Sequence, residues 1–381
     1  MLITDIVLCA DILFTAFGDY GREGETLDAV ISSLNAQPKA RFSVLLGDLA
    51  YPDGFQYVGD KYFGMFERFS NSADAFYVVL GNHDYRGSID AIREYAADNS
   101  KFVFPTTGKV AYHSKKIKLS GGYGLCTLFI DTMHLEPHHM DWLHSELKKC
   151  GGEKNFRIVF GHFPIYSVGL YATCGSTKRT RDKLEPILAQ YGVHAYIGGH
   201  EHHMQAFESN GRHYIISGAV GELNRNGKIR KDIHQDILKY AYADGPAFAN
   251  FRFIDDGRLE YTFIDATNGG DILYKASIKI ADAVYLGEVS PTNEKGSKGK
   301  KACGANESTT TAKPAEKGAK DKNRKEPQSD TVGGSPVSDC DDLSEDDWEY
   351  IDPIEANQDG NSARVIKSSF ILSLALICIV F

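Results

Sequence analysis

The chain has 381 residues, 42% of them hydrophobic and 11% aromatic, which is enough for one large domain or two small ones. Its formal charge of −9 leaves no basic excess to meet a phosphate backbone, and this excludes a general nucleic-acid binder. The seven cysteines (Cys9, Cys126, Cys150, Cys174, Cys303, Cys340 and Cys378) are odd in number and scattered, unlike the framework of a small disulfide-rich domain.

Met1–Ala10 lacks an early Lys or Arg and carries Asp5, so as a secretory signal it is poor and short; residues 1–10 read as at most a residual signal segment. Ile12–Phe17 reads as a first strand ending in Gly18-Asp19-Tyr20-Gly21, and Leu27, Val30, Ile31 and Leu34 set a helix over Glu25–Leu34. The apolar run Phe42–Leu46 predicts a buried strand, followed by Gly47-Asp48-Leu49-Ala50-Tyr51. An aromatic helix over Tyr57–Phe69 leads to a third strand, Phe76–Leu80, ending in Gly81-Asn82-His83-Asp84. Further strands are expected over Val110–Leu119 and Tyr123–Asp131, then a helix with Pro137 in its first turn. Phe156–Phe160 ends in Gly161-His162-Phe163-Pro164; a helix around Asp182–Tyr191 precedes Val193–Ile197 and Gly198-Gly199-His200-Glu201-His202-His203. His213–Ser217, Phe248–Ile254, Arg258–Ile264 and Ile272–Ile280 complete the strands. Alternating β and α units sharing one rim indicate an α/β domain over residues 11–285, two packed sheets flanked by helices.

Beyond it the composition changes. From Pro291 to Lys325 there are ten Lys/Arg against four Asp/Glu, and from Glu326 to Asp352 ten Asp/Glu and no base. Too little apolar surface is present to fold, so residues 286–369 are expected to be a disordered charged linker. It holds a glycosylation sequon, Asn306-Glu307-Ser308, usable only in the secretory pathway. Residues 370–381 form an apolar tail, too short to span a hydrocarbon core of about 30 Å as a helix. A lipid-anchor attachment signal, a tail anchor and a truncated membrane helix are the readings it leaves open. Cys150 and Cys174 flank a predicted strand and are candidates for a bridge in an oxidising compartment.

Five strand ends thus offer Asp19, Asp48 with Tyr51, Asn82, His162, and His200 with His202, all residues that ligate metals. Asp48 has two carboxylate oxygens, one for each of two cations. The i, i+2 spacing puts His200 and His202 on one side of an extended backbone. Any one of these residues has an ordinary explanation as a turn or loop residue, and His134, His138, His139 and His144 read as surface positions on or beside a helix. Recurrence at five successive junctions is what points to a two-metal site.

In this order the motifs Gly18-Asp19-Tyr20-Gly21, Gly47-Asp48-Leu49-Ala50-Tyr51, Gly81-Asn82-His83-Asp84, Gly161-His162 and Gly199-His200-Glu201-His202 resemble the metallophosphoesterase superfamily. Within it the chain is similar to the small purple, or tartrate-resistant, acid phosphatases: Gly21 stands where most relatives carry His, and Tyr51 where most have no Tyr. The resemblance implies a metallophosphoesterase-type two-sheet β-sandwich and hydrolysis of phosphate monoesters at acid pH, the acid phosphatase reaction EC 3.1.3.2. Asp19, Tyr51 and His202 would hold Fe3+; Asn82, His162 and His200 would hold Fe2+, Zn2+ or Mn2+; Asp48 would bridge. A metal-bound hydroxide would attack phosphorus, His83 would donate to the phosphate or leaving oxygen, and Asp84 would orient His83. Asn82, His83 and Tyr171 would contact substrate, with Tyr171 in place of a second active-site His of the family. Glu201 and His203 replace the more usual Asp and Asn. The implied setting is the secretory pathway, at a membrane or the cell surface through the C-terminal tail. The overall plan also resembles the phosphatase-like anchor of the apicomplexan gliding machinery, which implies a non-catalytic scaffold as the alternative.

Overall fold

Side chains on a strand alternate between its two faces, and here both faces of both sheets are apolar. On β1 (Leu13–Phe17), Phe14 and Ala16 point one way and Phe17 the other; on β2 (Phe42–Leu46), Phe42, Val44 and Leu46 oppose Leu45. A sheet apolar on both faces must be covered twice, and the result is a four-layer αββα sandwich. The computed structural model describes residues 12–106, 111–223, 229–254 and 256–283. The expected signal segment, charged linker, sequon and apolar tail lie outside them. Among the described residues no helix is long and apolar enough to cross a membrane.

In chain order the remaining elements are α1 (Glu25–Ala36), α2 (Lys61–Glu67), β3 (Phe76–Val79), α3 (Ile89–Asp98), β4 (Phe102–Val103), β5 (His113–Lys118), β6 (Gly124–Phe129), α4 (Pro137–Lys149), β7 (Asn155–Phe160), α5 (Gly175–Gln190), β8 (Ala195–Gly198), β9 (Met204–Ser209), β10 (Arg212–Ser217), β11 (Leu238–Tyr242), β12 (Ala247–Ile254), β13 (Arg258–Asp265) and β14 (Ile272–Lys279). One sheet has the order β14-β13-β12-β1-β2-β3-β4 and the other β11-β9-β10-β8-β7-β6-β5. In the first sheet β1 to β4 are parallel out to the edge strand β4, with β12, β13 and β14 antiparallel on the other side; in the second, the parallel centre β6, β7, β8 and β10 has antiparallel strands on both sides. Between the sheets Phe14 stacks on Phe42 and Phe251, with ring centroids 4.7 and 4.5 Å apart. Leu27, Val30, Phe63, Phe66 and Ile92 from α1, α2 and α3 cover the outer face of the first sheet; Leu143, Leu147, Leu184 and Leu188 from α4 and α5 cover the second.

Several expectations need correction. The helix expected over Tyr57–Phe69 is only Lys61–Glu67, because the Asp60 carboxylate accepts from the amides of Gln56 and Tyr62 and fixes the start there. The helix expected around Asp182 begins at Gly175. The bridge is not Cys150–Cys174. Cys150 caps the C-terminus of α4, which packs on β6, and its Cα lies 5.9 Å from that of Cys126; these two are bonded. His139 is not a surface residue but is buried against Tyr112, ring centroids 4.9 Å apart, with Nδ1 2.7 Å from Glu136 Oε2.

Candidate metal centre

Parallel strands deliver their C-terminal turns to one rim, and in the face-packed sandwich the rims of the two sheets lie side by side, with His162 Nδ1 2.7 Å from the Leu46 carbonyl. Turns after β1, β2 and β3 carry Asp19, Asp48 with Tyr51, and Asn82; turns after β7 and β8 carry His162, and His200 with His202. The five junctions read from the sequence therefore converge. Asp19, Asp48 and His200 sit in the left-handed region, at φ 61°, 52° and 69°. A non-glycine residue held there carries backbone strain, and such strain collects at functional turns.

The Tyr51 phenol oxygen lies 3.0 Å from Asp19 Oδ1, 3.0 Å from Asp48 Oδ2 and 3.2 Å from His202 Nε2. The same Asp48 Oδ2 also faces His162, whose Nε2 is 3.5 Å from it and 3.1 Å from Asn82 Oδ1, so one oxygen rather than two is turned to both halves of the cluster. Ligand atoms of Asp48, His162 and His200 all lie within 4.8 Å of one another. Donors about 2.1 Å from a shared cation and at right angles around it are roughly 3 Å apart, close to the 3.0–3.2 Å spacings around the Tyr51 oxygen, so the cluster could close on an ion with small side-chain shifts. The chemistry of the set fits as well: one phenol proton cannot satisfy two carboxylates and an imidazole, and a cation can. His162 Nδ1 lies 2.7 Å from the Leu46 carbonyl, which fixes that nitrogen as the donor and leaves Nε2 free for a metal. The buried Asn82 side-chain nitrogen has no partner among the described residues.

Without metal the cluster is electrostatically tense. Burial pushes the Tyr51 phenol well above its ordinary pKa, and the carboxylates of Asp19 and Asp48 push it further. Burial also raises Asp19, against the pull of His202 and His162. For Asp48 burial is outweighed by His162, His83 and His200, which hold its carboxyl well below the usual range. Burial opposes a charge on His162, yet Asp48 raises it to about 9. Burial and His162 drive His200 far down. Metal entry at neutral pH must therefore displace protons from Tyr51 and His162.

The other expected residues are close by. The His83 amide donates to Asp48 Oδ1 (2.9 Å), and its ring Nδ1 sits 2.6 Å from the Pro52 carbonyl. The partner of the His83 ring is thus the Pro52 carbonyl, while the Asp84 carboxylate meets backbone amides. The Asp84 carboxylate is fully buried and accepts from the amides of Asp48, Leu49 and Gly81 at 3.0, 2.9 and 2.8 Å, so it ties the β2 and β3 turns together. Burial, then the Asp48 charge, raises it to about 7. The Tyr171 ring lies against His200, centroids 4.3 Å apart. Glu201, also fully buried, accepts from Ser167 Oγ and the Tyr171 amide, both at 2.6 Å, and from the Leu170 amide at 3.1 Å, fixing the loop that carries Tyr171. A Cβ on Gly21 would lie 2.4 Å from the Ala50 nitrogen, so this turn leaves no room for a side chain. Sequence reasoning missed Arg22, which pairs with Glu222 and sits 5.9 Å from the Tyr51 ring centroid at the rim. Its position directly after the Gly-Asp-Tyr-Gly turn was the available signal.

Residues 4–204, more than half of the chain, match the profile of the family described as Calcineurin-like phosphoesterase. The chain belongs to that family. Among curated relatives, this phosphoesterase is 27% identical over 301 residues to tartrate-resistant acid phosphatase type 5 of Rattus norvegicus, covering 70% of this chain and 89% of that protein. Among solved structures it is similar to GAP50, the anchor in the inner membrane complex of Plasmodium (TM-score 0.60, 20% identity, 71% of this chain and 89% of that one). It is also similar to purple acid phosphatase PPD1 from yellow lupin (Lupinus luteus) seeds (TM-score 0.54, 16% identity, 71% and 54%). At these identities the solved structures speak for the metallophosphoesterase fold alone. Family, relatives and donor cluster together support phosphoester hydrolysis at a two-metal site.

Proposed function

We propose that this phosphoesterase hydrolyses phosphate monoesters at acid pH, with Fe3+ held by Asp19, Tyr51 and His202 and a divalent ion (Fe2+, Zn2+ or Mn2+) by Asn82, His162 and His200, Asp48 shared between them. The observation that carries this reading is the phenol oxygen of Tyr51 amid Asp19, Asp48 and His202: anionic oxygen donors suit a hard trivalent ion. Lewis acidity that activates water and offsets phosphoryl charge is what the bound pair would supply. The chain's own residues do the rest. His83, half-buried at the mouth and held by Pro52, donates a proton to the leaving oxygen. Asn82 and Tyr171 flank the phosphate. Asp84 acts through the backbone, keeping Asp48 and His83 in register. The Cys126–Cys150 bridge supports residence in an oxidising compartment such as the secretory pathway.

The test is an aryl phosphate assay at acid and neutral pH with metal analysis of the same sample. Turnover with one iron and a second metal per chain is expected, together with a pink to purple colour from Tyr51-to-iron charge transfer. Asp48→Asn should lower the rate at least about a thousandfold, and Tyr51→Phe should bleach the colour. A colourless protein holding two divalent ions would overturn the ferric assignment. One observation favours a second reading, a non-catalytic anchor: Tyr171, not a histidine, covers His200. Full metal loading without turnover at any pH would decide for that reading.

A further inference from the structure

We propose that a lysine-lined cavity beside β5 is the docking site for the acidic segment Asp341–Asp352 of this same chain. β5 is an edge strand, paired to β6 on one side and to no strand among the described residues on the other. It exposes Lys115, Lys116 and Lys118. Lysines on an edge deter pairing with neutral strands, but they also favour an acidic one. Beside them is a cavity of about 300 Å3, walled by Ile117, Tyr123, Leu125 and the Cys126–Cys150 bridge. Lys116 and Lys118 line it as well, and Lys154 lies 5.4 Å from the ring centroid of Tyr123 in its wall. An apolar pocket ringed by cations calls for an extended acidic peptide with apolar anchors.

The segment Asp341–Asp352 has that chemistry: seven Asp/Glu, no base, and Leu343, Trp348, Tyr350 and Ile351 among them. Its tether also points there. The last described strand, β14, ends beside the cavity: the Ile280 amide donates to the Gly257 carbonyl (3.1 Å), and a Cβ on Gly257 would meet Tyr123 Oη at 2.7 Å. From that exit, residues 284–340 are long enough to reach back, since an extended chain covers about 3.3 Å per residue. Attachment makes the encounter intramolecular, at an effective concentration on the order of millimolar, which an unlinked acidic partner would have to exceed. The cavity lies at the start of β6, about 20 Å by strand length from the metal end, so docking leaves the catalytic mouth open.

Zero-length carbodiimide cross-linking of the full chain, read by mass spectrometry, tests this. Monomers at low salt should carry links from Lys115, Lys116, Lys118 or Lys154 to acids within Asp341–Asp352, falling at least about fivefold in 0.5 M salt. Glu345→Gln, Asp346→Asn and Asp347→Asn together should remove the links without touching the folded domain. Lys115→Glu, Lys116→Glu and Lys118→Glu should remove them too, and Glu345→Lys, Asp346→Lys and Asp347→Lys in that background should restore them. Links only between two copies, links only to the basic stretch 291–325, or none at low salt would overturn the proposal. Equal binding of phosphatidylserine vesicles with the tail acids intact or neutralised would do so as well, because the patch would then be free for lipid.

Discussion

At the scale of single residues, the donor cluster depends on side chains that are absent as much as on those present. A Cβ on Gly81 would lie 2.2 Å from Asp48 Oδ1 and 2.7 Å from His162 Cε1. Gly81→Ala must therefore displace the Asp48 carboxylate or the His162 imidazole. Metal analysis after dialysis should show loss of both ions, with a fold still intact by circular dichroism; retention of both would mean that the β3 turn yields more easily than close packing suggests. The site was largely legible in the sequence because strand-end Gly-Asp, Gly-Asn and Gly-His pairs repeat. What the sequence hid were contacts between turns. That Pro52, rather than Asp84, receives the His83 ring, and that Glu201 anchors the Tyr171 loop, depends on backbone atoms far apart along the chain.

Whole elements were readable to the extent that they were apolar. β1, β2, β3 and β7 are nearly continuous aliphatic and aromatic runs, and each was anticipated within a residue or so. By contrast α3 buries only Ala91 and Ile92, and β11 is half-exposed along its length, so neither presents the continuous apolar run that marks a buried element. β9 was missed although its turn signal was present: Asn210-Gly211, at φ 51° and 71°, joins β9 to β10 as a two-residue hairpin loop. The Cys126–Cys150 pairing was hidden for another reason, since it requires knowing that α4 packs back on β6. It closes a loop with a separation of 24 residues, for which unfolded-state entropy gives about 3.5 kcal/mol. Cys126→Ser with Cys150→Ser should lower the unfolding free energy by about that amount in denaturant titration, and reduction of the native protein, which also opens the disulfide of Cys174, should lower it at least as far.

For the molecule as a whole, acid is a structural burden even if the chemistry prefers it. His113 stacks on Phe129, ring centroids 4.4 Å apart, with both ring nitrogens buried and without partners among the described residues. Burial lowers its pKa to about 3. Between the unfolded value near 6.5 and that folded value, only the unfolded chain takes the proton, so stability falls as pH drops through this window. His113→Phe removes the term. Its gain in unfolding free energy over the native chain should be about 1–2 kcal/mol larger at pH 5 than at pH 7, measured by urea titration at both. An equal gain at the two pH values would show that His113 is already charged when folded.

The sandwich also divides the donors by kind. For the proposed centre the first sheet offers Asp19, Asp48, Tyr51 and Asn82, whose candidate donors are oxygens; the second offers His162, His200 and His202, whose candidate donors are nitrogens. Neither half holds a full set, so any ion bound there is a rivet through the seam between the halves. Stripping it with a chelator should lower the melting temperature by several degrees. Amides in the five rim turns should then exchange with solvent well before those inside either sheet.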